Sequence, residues 1–177
     1  MKSAVSISIL ILSFYSFAFA ASISKQQMQA PILFEQNLGQ EQPSIKYFAR
    51  GPAYKTLLSS NHVQFERRDN SKLQISLDGS DPNPVINSAG NAKAVMNYYI
   101  GDKPENWKTS VPTYSNAIYK DIYPGIDWLF YEDHGAVEFD FVIAPGADAS
   151  KIQMTLDGAD QVEINEDGSL SMKDFRI

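Results

Sequence analysis

The sequence contains no cysteine. This absence excludes disulfide bridges, thiol catalysis and cysteine-ligated metal sites. A domain without disulfides must be stabilised by its hydrophobic core. Small secreted animal domains often carry disulfides, so the composition fits a bacterial periplasmic or surface protein better. Histidine is also scarce, with 2 residues among 177, and few general bases are therefore available.

Basic residues are too few and too scattered to form a nucleic-acid-binding surface. The chain has 15 Lys and Arg against 21 Asp and Glu, which gives a formal net charge of −6. Because phosphate backbones are bound through clustered cations, we predict no nucleic-acid partner. Phosphate-cradling loops, dinucleotide fingerprints and nucleophile elbows are absent from the sequence as well, and no catalytic residue is predicted.

The first segment, residues 1–20, has the pattern of a secretory signal peptide. Lys2 supplies a positive charge, an apolar run follows, and Ala18-Phe19-Ala20 matches the small residues of a cleavage site. The run is shorter than the roughly 20 apolar residues that a spanning helix needs. We therefore expect cleavage, export, and no transmembrane segment in the mature chain. Residues 21–31 are expected to form a polar leader.

Alternation of apolar and polar residues dominates the rest of the chain and is typical of half-buried β-strands. Such runs occur at residues 62–66, 72–78, 126–131, 137–143, 152–156, 162–164 and 170–172. Asp-Gly and Pro-Gly pairs separate many of them. We predict an all-β domain over residues 32–177, an antiparallel β-sandwich of two packed sheets. Residues 78–92 are expected to form one long polar loop, and a short helical turn is expected at 103–107, with Pro104 at its start.

Aromatic residues are concentrated between residues 111 and 132, in VPTYSNAIYKDIYPGIDWLFYE. The alternation in this stretch predicts that its tyrosines pack their rings on a sheet, with their hydroxyls hydrogen-bonded or hydrated. These tyrosines are Tyr114, Tyr119, Tyr123 and Tyr131. Each buried ring would contribute about 2 kcal/mol. The alternative is an exposed aromatic platform for sugars or peptides.

Two carboxylates, Glu138 and Asp140, share one face of the strand predicted over 137–143. Their Cβ atoms would lie roughly 7 Å apart, between the spacings of retaining and inverting glycosidases. A solubilising role explains them as well. The candidate ligand-binding residues are Trp107, Tyr114, Tyr123, Asp127, Glu138 and Asp140.

Neither histidine has the surroundings of a reactive centre in the sequence. His62 lies on the polar side of its strand, and no serine or aspartate partner is marked by a motif. His134 follows Glu132 and Asp133, but this spacing does not place three ligands on one metal. We predict no metal site and no cofactor. The acidic turns at 78–81 and 165–169 lack the ligand spacing of a calcium-binding loop. Weak binding of extracellular calcium at these turns is kept as an alternative.

Several separated motifs together resemble one family. They are FEQNLGQ at 34–40, YFARGPAY at 47–54, NYYIG at 97–101, WKTSVPTY at 107–114, YPGID at 123–127 and VEFDFVIAPGAD at 137–148. This order resembles the uncharacterised N-terminal domain found ahead of SBBP-type β-propeller repeats in large exported bacterial proteins, over residues 32–172. The resemblance implies an exported all-β module. Because the family has no assigned activity, no catalytic residue can be transferred from it to this chain. Such proteins continue for hundreds of residues, so we expect this chain to be a fragment, a truncated reading frame or a pared-down relative.

The leading hypothesis is a non-catalytic extracellular or cell-surface module for scaffolding, adhesion or interaction with other domains or surface proteins. The alternative is a carbohydrate-binding or glycan-hydrolysing domain, with Glu138 and Asp140 as acids and Trp107, Trp128 or nearby tyrosines as the sugar platform. A calcium-stabilised adhesin is the third possibility.

Overall fold

A computed structural model describes residues 30–88, 94–159, 162–166 and 170–171. The expected signal peptide, all but the last two residues of the leader, and the turn at 167–169 lie outside the described residues. The strands, in chain order, are β1 Phe34–Gln36, β2 Ile45–Arg50, β3 Tyr54–Ser59, β4 Val63–Arg67, β5 Lys72–Leu77, β6 Val85–Asn87, β7 Ala94–Tyr98, β8 Lys108–Tyr114, β9 Asn116–Tyr123, β10 Ile126–Asp133, β11 Ala136–Ile143, β12 Met154–Asp157, β13 Glu163–Ile164 and β14 Leu170–Ser171. Two 3-10 helices, Pro104–Asn106 and Ala149–Lys151, are the helical elements among these residues.

Two antiparallel sheets form the body of the domain. The larger sheet has the order β12-β5-β4-β3-β2-β1-β8-β7, and the smaller has the order β11-β10-β9-β6. β13 and β14 pair with each other. The all-β, sandwich-like prediction is confirmed. None of the helices in the described part of the chain is long and apolar enough to cross a membrane.

The main core lies between the two sheets, because alternate residues of each sheet point inward. From the larger sheet Phe34, Leu58 and Phe65 are buried, and from the smaller sheet Trp128 and Phe130 are buried. The Trp128 and Phe130 ring centroids lie 4.7 Å apart. Each such side chain contributes on the order of 2 kcal/mol or more by leaving water.

Two of the four tyrosines of the aromatic stretch, Tyr119 and Tyr123, are buried as predicted. Tyr119 is buried and its hydroxyl donates to the Ser59 carbonyl at 2.8 Å, and the Tyr123 hydroxyl donates to the Asp78 carbonyl at 2.7 Å. Trp128 is only 2% exposed. The alternative that placed Trp128 on a surface platform is therefore wrong, because its ring fills the space between the sheets.

The outer face of the larger sheet carries a second, smaller apolar cluster of Ile45, Phe48 and Leu57. The Arg50 guanidinium lies 4.5 Å from the centre of the Phe48 ring. A chain of ion pairs of 2.6 to 3.7 Å crosses the same face, and its members in order are Glu35, Arg50, Glu41, Lys55, Glu66 and Lys72. Both faces of this sheet are therefore partly buried.

One loop prediction needs correction. Residues 78–92 were expected to form a single polar loop, but Val85–Asn87 form β6, which pairs with β9 at the edge of the smaller sheet. Backbone pairing with β9 stabilises this short strand although Val85 is exposed. The expected helical turn at 103–107 is confirmed as the 3-10 helix Pro104–Asn106, with Pro104 at its start.

Candidate functional site

Strand β7 is the most exposed apolar edge among the described strands. Four of its five residues are exposed, and none of the five is charged or a proline. Val95 and Met96 are 56% and 42% exposed. Natural proteins usually protect sheet edges with charges, proline or very short strands, because an open edge invites pairing with another chain.

The other sheet edges carry such protection. β6 has only three residues, and β12 has four, ending at Asp157. β11 presents Glu138 and Asp140, both exposed, along its length. Within the described part of the chain, β7 is thus the edge that combines length, apolar exposure and lack of charge.

An aromatic pair extends the exposed surface beyond the end of β7. Tyr99 and Ile100 are 63% and 69% exposed, and Trp107 is 37% exposed. The Tyr99 and Trp107 rings meet edge to face, with centroids 5.2 Å apart and an interplanar angle of 89°. We call Val95, Met96, Tyr99, Ile100 and Trp107 together the β7 patch.

Local backbone structure sets the position of Trp107 in this patch. Pro104 begins the 3-10 helix, where its fixed φ suits the first helical position. The Trp107 backbone N–H donates to the Pro104 carbonyl at 3.0 Å, and the indole Nε1 donates to the Gly101 carbonyl at 3.1 Å. The indole is therefore held in place while the residue stays partly exposed, as in many recognition sites.

Tyr98 anchors β7 to a buried carboxylate on strand β1 of the larger sheet. The β7–β8 register shifts between Met96 and Tyr98, and the Tyr98 hydroxyl donates to the carboxylate of Glu35, which is buried. Arg50 donates to the same Tyr98 hydroxyl and to Glu35. Burial and the hydrogen bond to Glu35 raise the pKa of Tyr98 to about 12. The tyrosine is therefore protonated at neutral pH and is a hydrogen-bond donor there.

The structure distributes the six sequence candidates over different surroundings. Trp107 belongs to the β7 patch. Tyr114 is half-buried, with its ring 6.2 Å from that of Tyr47 in an edge-to-face contact. Tyr123 is 3% exposed, so a ligand cannot reach its ring without opening the core.

The three acidic candidates lie on the outer face of the smaller sheet. Asp127 accepts from Lys120 at 2.6 Å and from the Asp121 backbone N–H at 2.8 Å. Partial burial acts to raise the pKa of Asp127, but these hydrogen bonds outweigh it and the pKa is lowered. Its carboxylate is thus already engaged in a structural contact of the β9–β10 hairpin.

Glu138 and Asp140 lie opposite Tyr131 and Leu129 in the β10–β11 pairing. Tyr131 donates to Asp140 at 3.0 Å, and this hydrogen bond raises the pKa of Tyr131. Both carboxylates are exposed. They belong to the smaller sheet, whereas Trp107 precedes β8 of the larger sheet, so the structure does not present these acids and that indole on one sheet face.

His62 has a serine neighbour that the sequence did not reveal. The Ser59 Oγ lies 3.0 Å from His62 Nδ1, and Asn61 Oδ1 lies 2.9 Å from the same nitrogen. Ser59 is 1% exposed and its hydroxyl donates to the His62 carbonyl at 2.8 Å. Burial lowers the pKa of His62. A buried serine within one hairpin turn closes that turn and cannot reach a substrate.

His134 lies at the tip of the β10–β11 hairpin. Its Nδ1 is 2.6 Å from the Asp133 carboxylate, and this hydrogen bond raises the pKa of His134. Among the described residues, no group of three histidine, aspartate or glutamate side chains is arranged to hold a metal ion.

Comparison with known proteins gives a single positive result. The profile of a family described as "Domain of unknown function (DUF7948)" matches residues 34–174. No curated protein matches the chain, and no solved structure matches it. The matched range extends from β1 to beyond β14 and includes the whole β7 patch.

Proposed function

The chain belongs to the family of the Domain of unknown function (DUF7948), and from that premise we propose that it is a non-catalytic, exported β-module that binds another protein through the β7 patch. The partner is an extended strand of a neighbouring β-domain, in the same exported protein or on the bacterial surface. The resemblance to the domain ahead of SBBP-type repeats supports a β-propeller repeat region as that neighbour.

The observation that carries this proposal is the uncharged, exposed edge of β7. An added strand would satisfy its unpaired backbone groups and cover Val95 and Met96, the pattern of β-strand addition. Tyr99 and Trp107 would supply the aromatic anchors that are enriched at protein interfaces. Because β7 carries no charge, the best complement is a strand of alternating apolar residues rather than a charged peptide.

The separation of the sequence candidates also favours a binding role over a hydrolytic one. A glycosidase needs two carboxylates on opposite sides of the scissile bond. Glu138 and Asp140 instead lie on one strand and face outward, and Asp140 accepts a hydrogen bond from Tyr131.

The proposal is tested by binding of the purified, fluorescently labelled domain to cells of the organism that produces it. We expect saturable binding, and we expect Val95→Lys to weaken it about tenfold because an ammonium group would be buried at the contact. Val85→Lys is the matched control, since Val85 is exposed on the edge of the other sheet.

Two results would contradict the proposal. Equal binding by Val95→Lys and Val85→Lys would show that β7 is not the contact. Glycan hydrolysis by the wild-type domain that disappears in Glu138→Gln would instead establish the carbohydrate-active alternative.

A further inference from the structure

An open cavity of about 420 Å³ lies at one end of the larger sheet. Its walls come from the turn between β2 and β3 and from the turn between β4 and β5, which lie at the same end of their strands. This volume falls within the range of about 300–1,000 Å³ that small-molecule sites occupy. The strands β1 and β8 separate β2 from β7, so the cavity and the β7 patch are distinct places on the sheet.

The lining of the cavity contains more cations than carboxylates. It includes four cations, Arg50, Lys55, Arg67 and Arg68, against one carboxylate, Glu66. The whole chain has the opposite balance, with 21 acidic and 15 basic residues. Three of these cations are offset by neighbouring carboxylates: Arg50 by Glu35 and Glu41, Lys55 by Glu41 and Glu66, and Arg67 by Asp69.

Two of these cations are fixed in place by existing ion pairs. Arg50 contacts Glu35 at 2.6 Å, and Lys55 contacts Glu41 at 3.2 Å. Ordering these side chains in advance reduces the conformational entropy that ligand binding would otherwise cost. Arg50 and Lys55 therefore form a preorganised wall.

Arg68 differs from these two cations. It follows the last residue of β4, is exposed, and makes no ion pair with any described residue. Its neighbour Arg67 approaches Asp69 at 4.0 Å. A guanidinium carries five N–H donors in a planar fork that matches the oxygens of carboxylate, sulfate and phosphate groups. Arg68 can therefore donate to an incoming anion without breaking an ion pair within the described structure.

We infer that this cavity binds an oxyanion group of a small ligand, with Arg68 as the principal donor beside the ordered wall of Arg50 and Lys55. The Asn70 side chain, which also lines the cavity, adds amide N–H donors. The ligand class is an acidic sugar or a phosphate or sulfate ester, because these share the oxyanion that the arginine fork recognises.

The test is calorimetric titration of the purified protein with three probes: inorganic phosphate, trigalacturonic acid and uncharged maltotriose. We expect at least one of the two anions to bind with a dissociation constant in the range of about 1 mM or tighter, and maltotriose not to bind. Arg68→Gln should weaken the anion about tenfold, the loss typical for one hydrogen bond to a charged group. Binding should also weaken as potassium chloride is raised.

Lys151→Gln is the matched control, because it removes one positive charge from an exposed residue that does not line the cavity. Phosphate binding alone would identify an ester as the source of the oxyanion, and trigalacturonate binding alone would identify an acidic sugar. Equal weakening by the two variants would overturn the inference, since it would mean that only net charge matters. Absence of binding by both anions, or binding of maltotriose as tightly as an anion, would overturn it too. Circular dichroism of Arg68→Gln confirms that any loss occurs in a folded protein.

Discussion

Tyr98 joins the exposed β7 edge to strand β1 of the larger sheet through its contact with the buried Glu35 carboxylate. A buried carboxylate is costly unless hydrogen bonds and opposite charge compensate it. Glu35 receives such compensation from Tyr98 and Arg50, and both donors come from strands other than its own. This arrangement fixes β7 in the sheet while its remaining residues face solvent.

Substitution of this tyrosine tests the anchor. Tyr98→Phe keeps the ring but removes the hydroxyl, so Glu35 loses one of its two donors. We expect the free energy of unfolding to fall by about 1–3 kcal/mol, the usual cost of leaving a buried acceptor incompletely paired. Urea denaturation followed by circular dichroism measures this change.

The neighbouring residue supplies the control for that experiment. Tyr99 is 63% exposed, and Tyr99→Phe should change stability by less than about 0.5 kcal/mol. Equal effects of the two substitutions would mean that the contact between Tyr98 and Glu35 contributes nothing to stability.

Strand β12 is attached to the edge of the larger sheet at a point that only glycine permits. Gly158 directly follows β12 and has a φ of +80°, and a Cβ atom there would lie 2.2 Å from the Lys72 carbonyl oxygen. Such a distance is far inside van der Waals contact. The end of β12 and the start of β5 therefore approach each other too closely for any side chain at this position.

We predict that Gly158→Ala destabilises the domain by about 2 kcal/mol or more, because strain from the positive φ adds to the clash with Lys72. In this variant, amide hydrogen exchange should accelerate more in β12 than in β4. The matched control is Gly79→Ala, where φ is +69° but no atom lies within 4 Å of the added methyl. It should cost only about 1–2 kcal/mol. Indistinguishable losses in the two variants would show that the clash is relieved by local movement.

At the scale of the whole molecule, stability depends on the contact between the two sheets, since the chain has no disulfide. Phe130 is fully buried at that contact, with its ring centroid 5.9 Å from Tyr119 and 5.6 Å from Phe139. Its position makes it a direct probe of the core.

Phe130→Ala should lower the free energy of unfolding by about 3–5 kcal/mol, through lost burial and a residual cavity. Domains of this kind hold about 5–15 kcal/mol in total, so the variant should unfold at much lower urea concentration. The exposed Ile100→Ala serves as a reference and should be nearly neutral. A loss below about 1 kcal/mol for Phe130→Ala would refute the packing described for the two sheets.

The sequence predicted those strands in which one face is buried and the other is polar. β4, β5 and β10 show this alternation and were predicted. β2 and β3 were not, because the outer cluster of Phe48 and Leu57 buries residues adjacent to the inward-facing Ala49 and Leu58. Burial on both faces removes the period of two from the sequence.

The candidate site was predicted only in part for a related reason. Trp107 was among the sequence candidates, whereas Val95, Met96, Tyr99 and Ile100 were not. Their exposure follows from the position of β7 at the end of the strand order, and strand order depends on pairing between distant segments. Local alternation carries no information about which strand becomes an edge.

The chain carries 2 tryptophans, and they occupy opposite environments. Trp128 is enclosed by aromatic rings, whereas Trp107 stands partly in water. The protein thus has two intrinsic fluorophores that emit at different wavelengths. A shift in the longer-wavelength emission of Trp107 reports binding at the surface. A shift in the shorter-wavelength emission of Trp128 reports unfolding of the core.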